Sequence, residues 1–121
     1  MRVFAQIGAF FGFTGVALGA FGAHALRDKL PADMLAIYQT GVQYQVLHAL
    51  ALLVIGFALT DSRSFRVAGW LFAFGILVFS GSLYALSLTG TRALGAITPL
   101  GGVALLAGWA CLFFAATKGR R

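Results

Sequence analysis

The sequence predicts an all-α membrane protein. The expected fold is a four-transmembrane-helix bundle, with the second helix extended beyond the membrane on the outer side. Three observations carry this. Four long apolar segments fill nearly all of the 121 residues. The chain is 60% hydrophobic and only 10% charged, with a mean hydropathy of +0.92, whereas a soluble domain carries roughly 25% charged residues. The first segment also places Gly8, Gly12, Gly15, Gly19 and Gly22 at spacings of 4, 3, 4 and 3, on one helical face. In water each glycine would cost a helix about 1 kcal/mol against alanine. In lipid a smooth seam lets a second backbone approach closely. The seam predicts that the first helix is central and meets another helix along Gly8, Gly12, Gly15 and Gly19.

The single domain, residues 1–121, divides into spans at about 3–26, 42–60, 67–89 and 99–117. Each is close to the ~20 residues that cross a ~30 Å hydrocarbon core. Helix is the expected conformation, because a lone strand would leave its backbone groups unpaired in lipid. Ala23-His24-Ala25 has the small-x-small look of a leader cleavage site. The apolar stretch before it exceeds 20 residues, whereas a leader's apolar region is ~7–15, so a retained first helix is expected.

Before the second span, Pro31 suits a first helical turn and Asp33 sits where the helix dipole favours negative charge. Met34, Leu35, Ile37, Tyr38 and Val42 continue the apolar stripe without a break. One helix over residues 32–60 would be ~43 Å long, more than the bilayer core. Its first turns are expected outside the hydrocarbon, with Tyr38 and Tyr44 in an interfacial aromatic belt. In the fourth span Pro99 reads as a proline in the first turn of a straight helix. A broken helix lining a small site is the functional alternative.

Basic residues set the orientation. Arg2, Arg63, Arg66, Lys118, Arg120 and Arg121 fall on one side, against Arg27, Lys29 and Arg92 on the other. The bias predicts both termini in the cytoplasm. The net charge of +6 forms no stripe, so no nucleic-acid partner is expected. Cys111, the single cysteine, reads as a small hydrophobe.

Polar groups inside spans are the candidates for chemistry, since hydrocarbon penalises them unless they are partnered. Tyr44, Gln45 and His48 share a face of the second helix, completed by Gly41. His24 ends the first helix, and both histidines are expected in the outer half. Together they could hold a haem axially or a metal, but no third ligand at metal spacing accompanies them. Ser80, Tyr84 and Ser87 share a face of the third helix, and Thr98 precedes Pro99. Gln6, Thr14 and the serines read as packing polars. No Gly-x-Ser-x-Gly elbow is present. Asp28, Asp33 and Asp61, the three acids, all lie at span ends or in loops. That leaves no intramembrane carboxylate for a proton-driven exporter.

Gly19-Ala-Phe-Gly-Ala-His-Ala-Leu26, Tyr44-Gln-Val-Leu-His-Ala-Leu50, Gly75-Ile-Leu-Val-Phe-Ser-Gly-Ser-Leu-Tyr84 and Leu94-Gly-Ala-Ile-Thr-Pro-Leu-Gly-Gly102 together resemble the YgdD/YwdK-like family of small integral membrane proteins. The four motifs occur in order and cover nearly the whole chain. The resemblance implies four transmembrane helices and no particular activity. It also implies one outer polar site of His24, Tyr44, Gln45, His48, Ser80, Tyr84, Thr98 and Pro99.

The function expected is a non-enzymatic membrane protein that binds a ligand or supports a membrane complex. His24, Tyr44, Gln45, His48, Ser80, Tyr84 and Thr98 are the candidate ligand-binding cluster, with no catalytic residue, metal or cofactor assigned. An oligomeric channel or transporter is the first alternative, and a haem- or quinone-binding redox protein the second. The expected partners are the lipid bilayer and either further copies or a larger membrane complex.

Overall fold

The computed structural model describes residues 2–59 and 61–118. Four helices account for most of them: α1 (Arg2–Phe21), α2 (Ala32–Gly56), α3 (Arg63–Thr89) and α4 (Thr98–Lys118). A π-helical turn, Gly22–Leu26, continues α1, and a short 3-10 helix, Arg92–Ala96, precedes α4. The helix starts and stops follow local chemistry. Ser62 Oγ accepts from Phe65 N–H at 3.1 Å and caps α3. Gly90, at φ 74°, closes its far end with its N–H on Leu86 O at 2.7 Å. Pro99 stands in the first turn of α4, as the straight-helix reading expects.

The helices pack in sequence: α1 on α2, α2 on α3, α3 on α4. The middle pair is therefore α2 and α3. The expectation that α1 is central is corrected: its glycine face serves one neighbour, α2. A Cβ added at Gly8 would lie 2.8 Å from Ala49 O, and one at Gly15 2.7 Å from Val46 Cγ2. Gly12 departs from the seam, with no atom within 4 Å of an added Cβ. The closest approach is at the far end, where a Cβ on Gly56 would stand 2.2 Å from the Ala5 backbone nitrogen.

The interior has two halves. Towards the Arg2 and Arg63 end, Phe4, Leu52, Ile55, Ala68, Phe72 and Ile76 form an apolar core. Towards the other end, the buried side chains include Gln45, Ser80, Ser82 and Ser87. The outside is apolar. Phe13, Val16, Val54, Leu77, Leu106 and Phe113 are all well over half exposed. Apolar surface on that scale marks lipid contact. Among the described residues, three helical stretches are long and apolar enough to cross a membrane, Arg2–Leu26, Arg63–Thr89 and Arg92–Thr117. α2 has the length, 25 residues or roughly 37 Å, and a more polar first half.

Among the described residues, two ion pairs lie at the ends of the bundle. Arg66 pairs with Asp61 at the start of α3. Arg92 Nη2 meets Asp33 Oδ2 at 2.9 Å, joining the 3-10 helix to the first turn of α2. Arg92 donating to Asp33, helped by the Met34 N–H, holds that carboxyl below its ordinary range. Arg120 and Arg121, which enter the charge count, lie outside the described residues.

Candidate functional site

Gln45 is the junction of the polar layer. Its side chain is buried where α1, α2 and α3 converge. Its amide nitrogen donates to Phe11 O at 3.0 Å and to Thr14 Oγ1 at 2.8 Å on α1. Its amide oxygen accepts from the Tyr84 hydroxyl on α3 at 2.6 Å. Above it, Ser80 Oγ donates to Gly41 O at 2.7 Å, and the Tyr38 hydroxyl donates to Leu18 O at 2.5 Å. Gly41 is required there, because a Cβ would fall 2.8 Å from the Tyr84 ring. Ser82 Oγ and Thr98 Oγ1 share a hydrogen bond of 2.6 Å between α3 and α4. Among the described residues, no buried side-chain nitrogen or oxygen lacks a partner.

His48 belongs to a second group. Its Nδ1 is 2.8 Å from Tyr44 O, one turn earlier on α2. Its Nε2 is 2.9 Å from Trp109 Nε1 on α4. A carbonyl oxygen only accepts and an indole N–H only donates. These partners fix one arrangement: a neutral imidazole, Nδ1–H donating and Nε2 accepting. The ring is enclosed by aromatics, with centroids 5.4 Å from Phe72, 5.6 Å from Trp109 and 5.9 Å from Tyr44.

The structure divides the expected single cluster. Gln45, Tyr84 and Ser80 stand together; Thr98 joins Ser82; Tyr44 and His48 face α4. His24 is apart from all of them, exposed on the π-helical turn. The expectation that both histidines share the outer half is corrected. His24 lies at that end, but His48 is sixteen residues, roughly 24 Å, from the start of α2 and only eight, roughly 12 Å, from its end. A pair of axial histidine ligands is not formed, and both nitrogens of His48 are already engaged. Tyr44, twelve residues or roughly 18 Å from the start of α2, lies below the interfacial belt expected for it. It is 40% exposed and stacks on His48 and Phe79.

Beside Tyr44 and His48 lies a groove of about 490 Å³ between α2 and α4. Its walls include Tyr44, His48, Phe79, Leu106 and Trp109, and its upper end reaches Pro99 and Gly102. The volume is within the ~300–1,000 Å³ of small-molecule sites. Trp109 is the member that the sequence reading missed. The available signal was an indole in mid-span, away from the interfaces where tryptophan usually anchors. Among the described residues no group of three His, Cys, Asp or Glu could hold a metal.

Residues 18–102 match the family described as "Protein of unknown function (DUF423)". The UPF0382 membrane protein YwdK of Bacillus subtilis is 50% identical over 98% of both chains. The chain belongs to this family. A UPF0382 membrane protein of Staphylococcus epidermidis is also 50% identical over 98% of both chains. The UPF0382 inner membrane protein YgdD of Escherichia coli K12 is 42% identical, over all of this chain and 92% of its own. No solved structure matches. As a DUF423 family member with long apolar helices, the chain is a multi-pass membrane protein, as its sequence indicates.

Proposed function

We propose that this DUF423 protein is a non-enzymatic, four-span membrane protein that holds a membrane-soluble ligand in the groove between α2 and α4. The observation that supports this most is His48. Catalysis or metal binding would need an open nitrogen on it, and the Tyr44 carbonyl and the Trp109 indole occupy both. Gln45, Ser80, Ser82, Tyr84 and Thr98 are taken up in joining helices to each other. What they leave open is an apolar groove walled by aromatic rings.

α2 is the fourth span in this reading. Two of the residues that lower its hydropathy, Gln45 and His48, are buried and turned away from lipid, while Gln39 and Gln43 are exposed nearer its outer end. Its first turns, from Ala32 to about Ile37, extend past the hydrocarbon on the outer side, where Asp33 pairs with Arg92. The balance of basic residues supports an orientation with both termini in the cytoplasm. A reporter fused after Arg121 should be active in its cytoplasmic form only, and periplasmic activity there would overturn the orientation.

Native mass spectrometry in mild detergent tests the ligand reading. Protein taken directly from membranes should carry a small apolar adduct, and Gly102→Leu should lose it by filling the groove. The same spectrum reports whether copies associate. Bare wild-type protein, or an adduct unaffected by Gly102→Leu, would contradict the reading.

A further inference from the structure

We propose that the groove between α2 and α4 binds a quinone-type lipid: a flat, uncharged ring bearing carbonyl acceptors, with an apolar tail. This rests on the ligand-binding reading above and specifies the ligand. Four features of the groove select that chemistry.

The first is the set of hydrogen-bonding groups left over. His48 spends both nitrogens, and the Trp109 N–H is given to His48. The Tyr44 carbonyl is occupied by His48 as well. The Tyr44 hydroxyl has no partner among the described residues, although its ring lines the groove. A phenol O–H without an acceptor in hydrocarbon is costly. A ligand carbonyl would supply that acceptor. The second is charge. No lysine or arginine lines the groove. At the same end of the bundle, Arg92 is held by Asp33. A phosphate or carboxylate head would find no counter-charge, so the head is uncharged.

The third is wall shape. Tyr44, Phe79 and Trp109 present rings on both helical sides of the groove. Tyr44 and Phe79 already pack at 4.6 Å between centroids. Such surfaces favour an offset-stacked planar ring over a branched one. The fourth is length. From Pro99 to Trp109 the groove follows ten residues of α4, roughly 15 Å. Its rim is Leu47, Val103 and Leu106, all more than half exposed to lipid. A tail can leave the groove sideways into the bilayer.

The test uses the full chain in lipid nanodiscs and a benzoquinone with a decyl tail. Quinones quench indole fluorescence on contact, and the chain has two tryptophans. Trp70→Phe leaves Trp109 as the reporter in the groove. Trp109→Phe leaves Trp70, which packs on Phe4, to report simple partitioning into lipid. Saturable quenching is expected for Trp109 and only linear quenching for Trp70. Tyr44→Phe in the Trp70→Phe background should weaken binding by on the order of tenfold, the value of one hydrogen bond.

Gly102→Leu should abolish saturation. A Cβ at Gly102 would meet only Phe79, at 3.7 Å, so the added bulk goes into the groove rather than into backbone. Val103→Phe, at a lipid-exposed rim position, is the second occluding variant should the first lose its helical circular dichroism. Equal quenching of the two tryptophans would overturn the proposal, as would unchanged affinity in Tyr44→Phe. Decylbenzene, which has the tail but no carbonyl, separates the two levels of inference. If it displaces the quinone equally well, the groove binds apolar ligands but the quinone assignment fails. If neither compound is sensitive to Gly102→Leu or Val103→Phe, the ligand-binding reading fails with it.

Discussion

Replacing Gln45 by leucine removes three inter-helix hydrogen bonds at once. Two go to α1, at Phe11 O and Thr14 Oγ1, and one comes from Tyr84 on α3. Hydrogen bonds between membrane helices average about 0.6 kcal/mol, so their direct loss is about 2 kcal/mol. The Tyr84 hydroxyl is then stranded in a half-buried position, which adds about 1–3 kcal/mol. Leucine returns part of this through apolar packing. The expected net destabilisation is about 2–4 kcal/mol, read by reversible unfolding in mixed micelles. Gln43→Leu is the matched control. Gln43 lies two residues away, exposed and outside the polar layer, so its replacement should change stability by less than about 0.5 kcal/mol. Adding Tyr84→Phe to Gln45→Leu should cost less than Tyr84→Phe alone, because its partner is already gone. Equal effects of the two glutamine substitutions, or additive behaviour of the Gln45 and Tyr84 changes, would refute the assignment of Gln45 as the junction.

Three further outcomes follow from particular contacts. Gly56→Ala should separate α1 from α2, since its Cβ would fall 2.2 Å from the Ala5 backbone nitrogen. Gly12→Ala meets no atom within 4 Å and should stabilise α1 by up to about 1 kcal/mol; thermal melts that rank the two the other way would contradict the seam. The Asp33–Arg92 pair has a pH signature. A carboxyl held below its ordinary 3.8 contributes above that value and loses its contribution as the pH falls through the lower folded-state pKa. Protection factors for hydrogen exchange in residues 92–96 should therefore fall in that acid window in the wild type and not in Asp33→Asn. Equal profiles would remove the clamp.

The helical spans were legible because their signal is repeated over many residues. Twenty-odd apolar positions outweigh any one exception, and Pro99 marked the first turn of α4 by backbone chemistry. Gln45 and Tyr84 were legible as candidates because polar groups in lipid need partners. Which partner each would find was not. Tyr84 reaches Gln45 across 39 residues of sequence, and His48 reaches Trp109 across 61. Those pairings depend on how the helices are rotated and ordered, which short-range spacing does not specify. The order of packing was misread for the same reason. A glycine seam says that a partner backbone comes close, and α1 meets that condition with α2 alone. His24 was grouped with His48 by residue type, while the extra turns at the start of α2 move His48 far along the bundle axis.

His48 decides between a structural imidazole and a reactive one, and its protonation pattern is directly measurable. Solid-state NMR of the protein in bilayers, labelled with ¹⁵N at histidine and assigned with a His24→Gln variant, resolves the two ring nitrogens. At neutral pH, Nδ1 should carry the proton and Nε2 should be an unprotonated acceptor coupled to the Trp109 indole proton. Trp109→Phe should shift Nε2 and leave Nδ1 on the Tyr44 carbonyl. A protonated Nε2, or an Nε2 resonance indifferent to Trp109→Phe, would contradict the account.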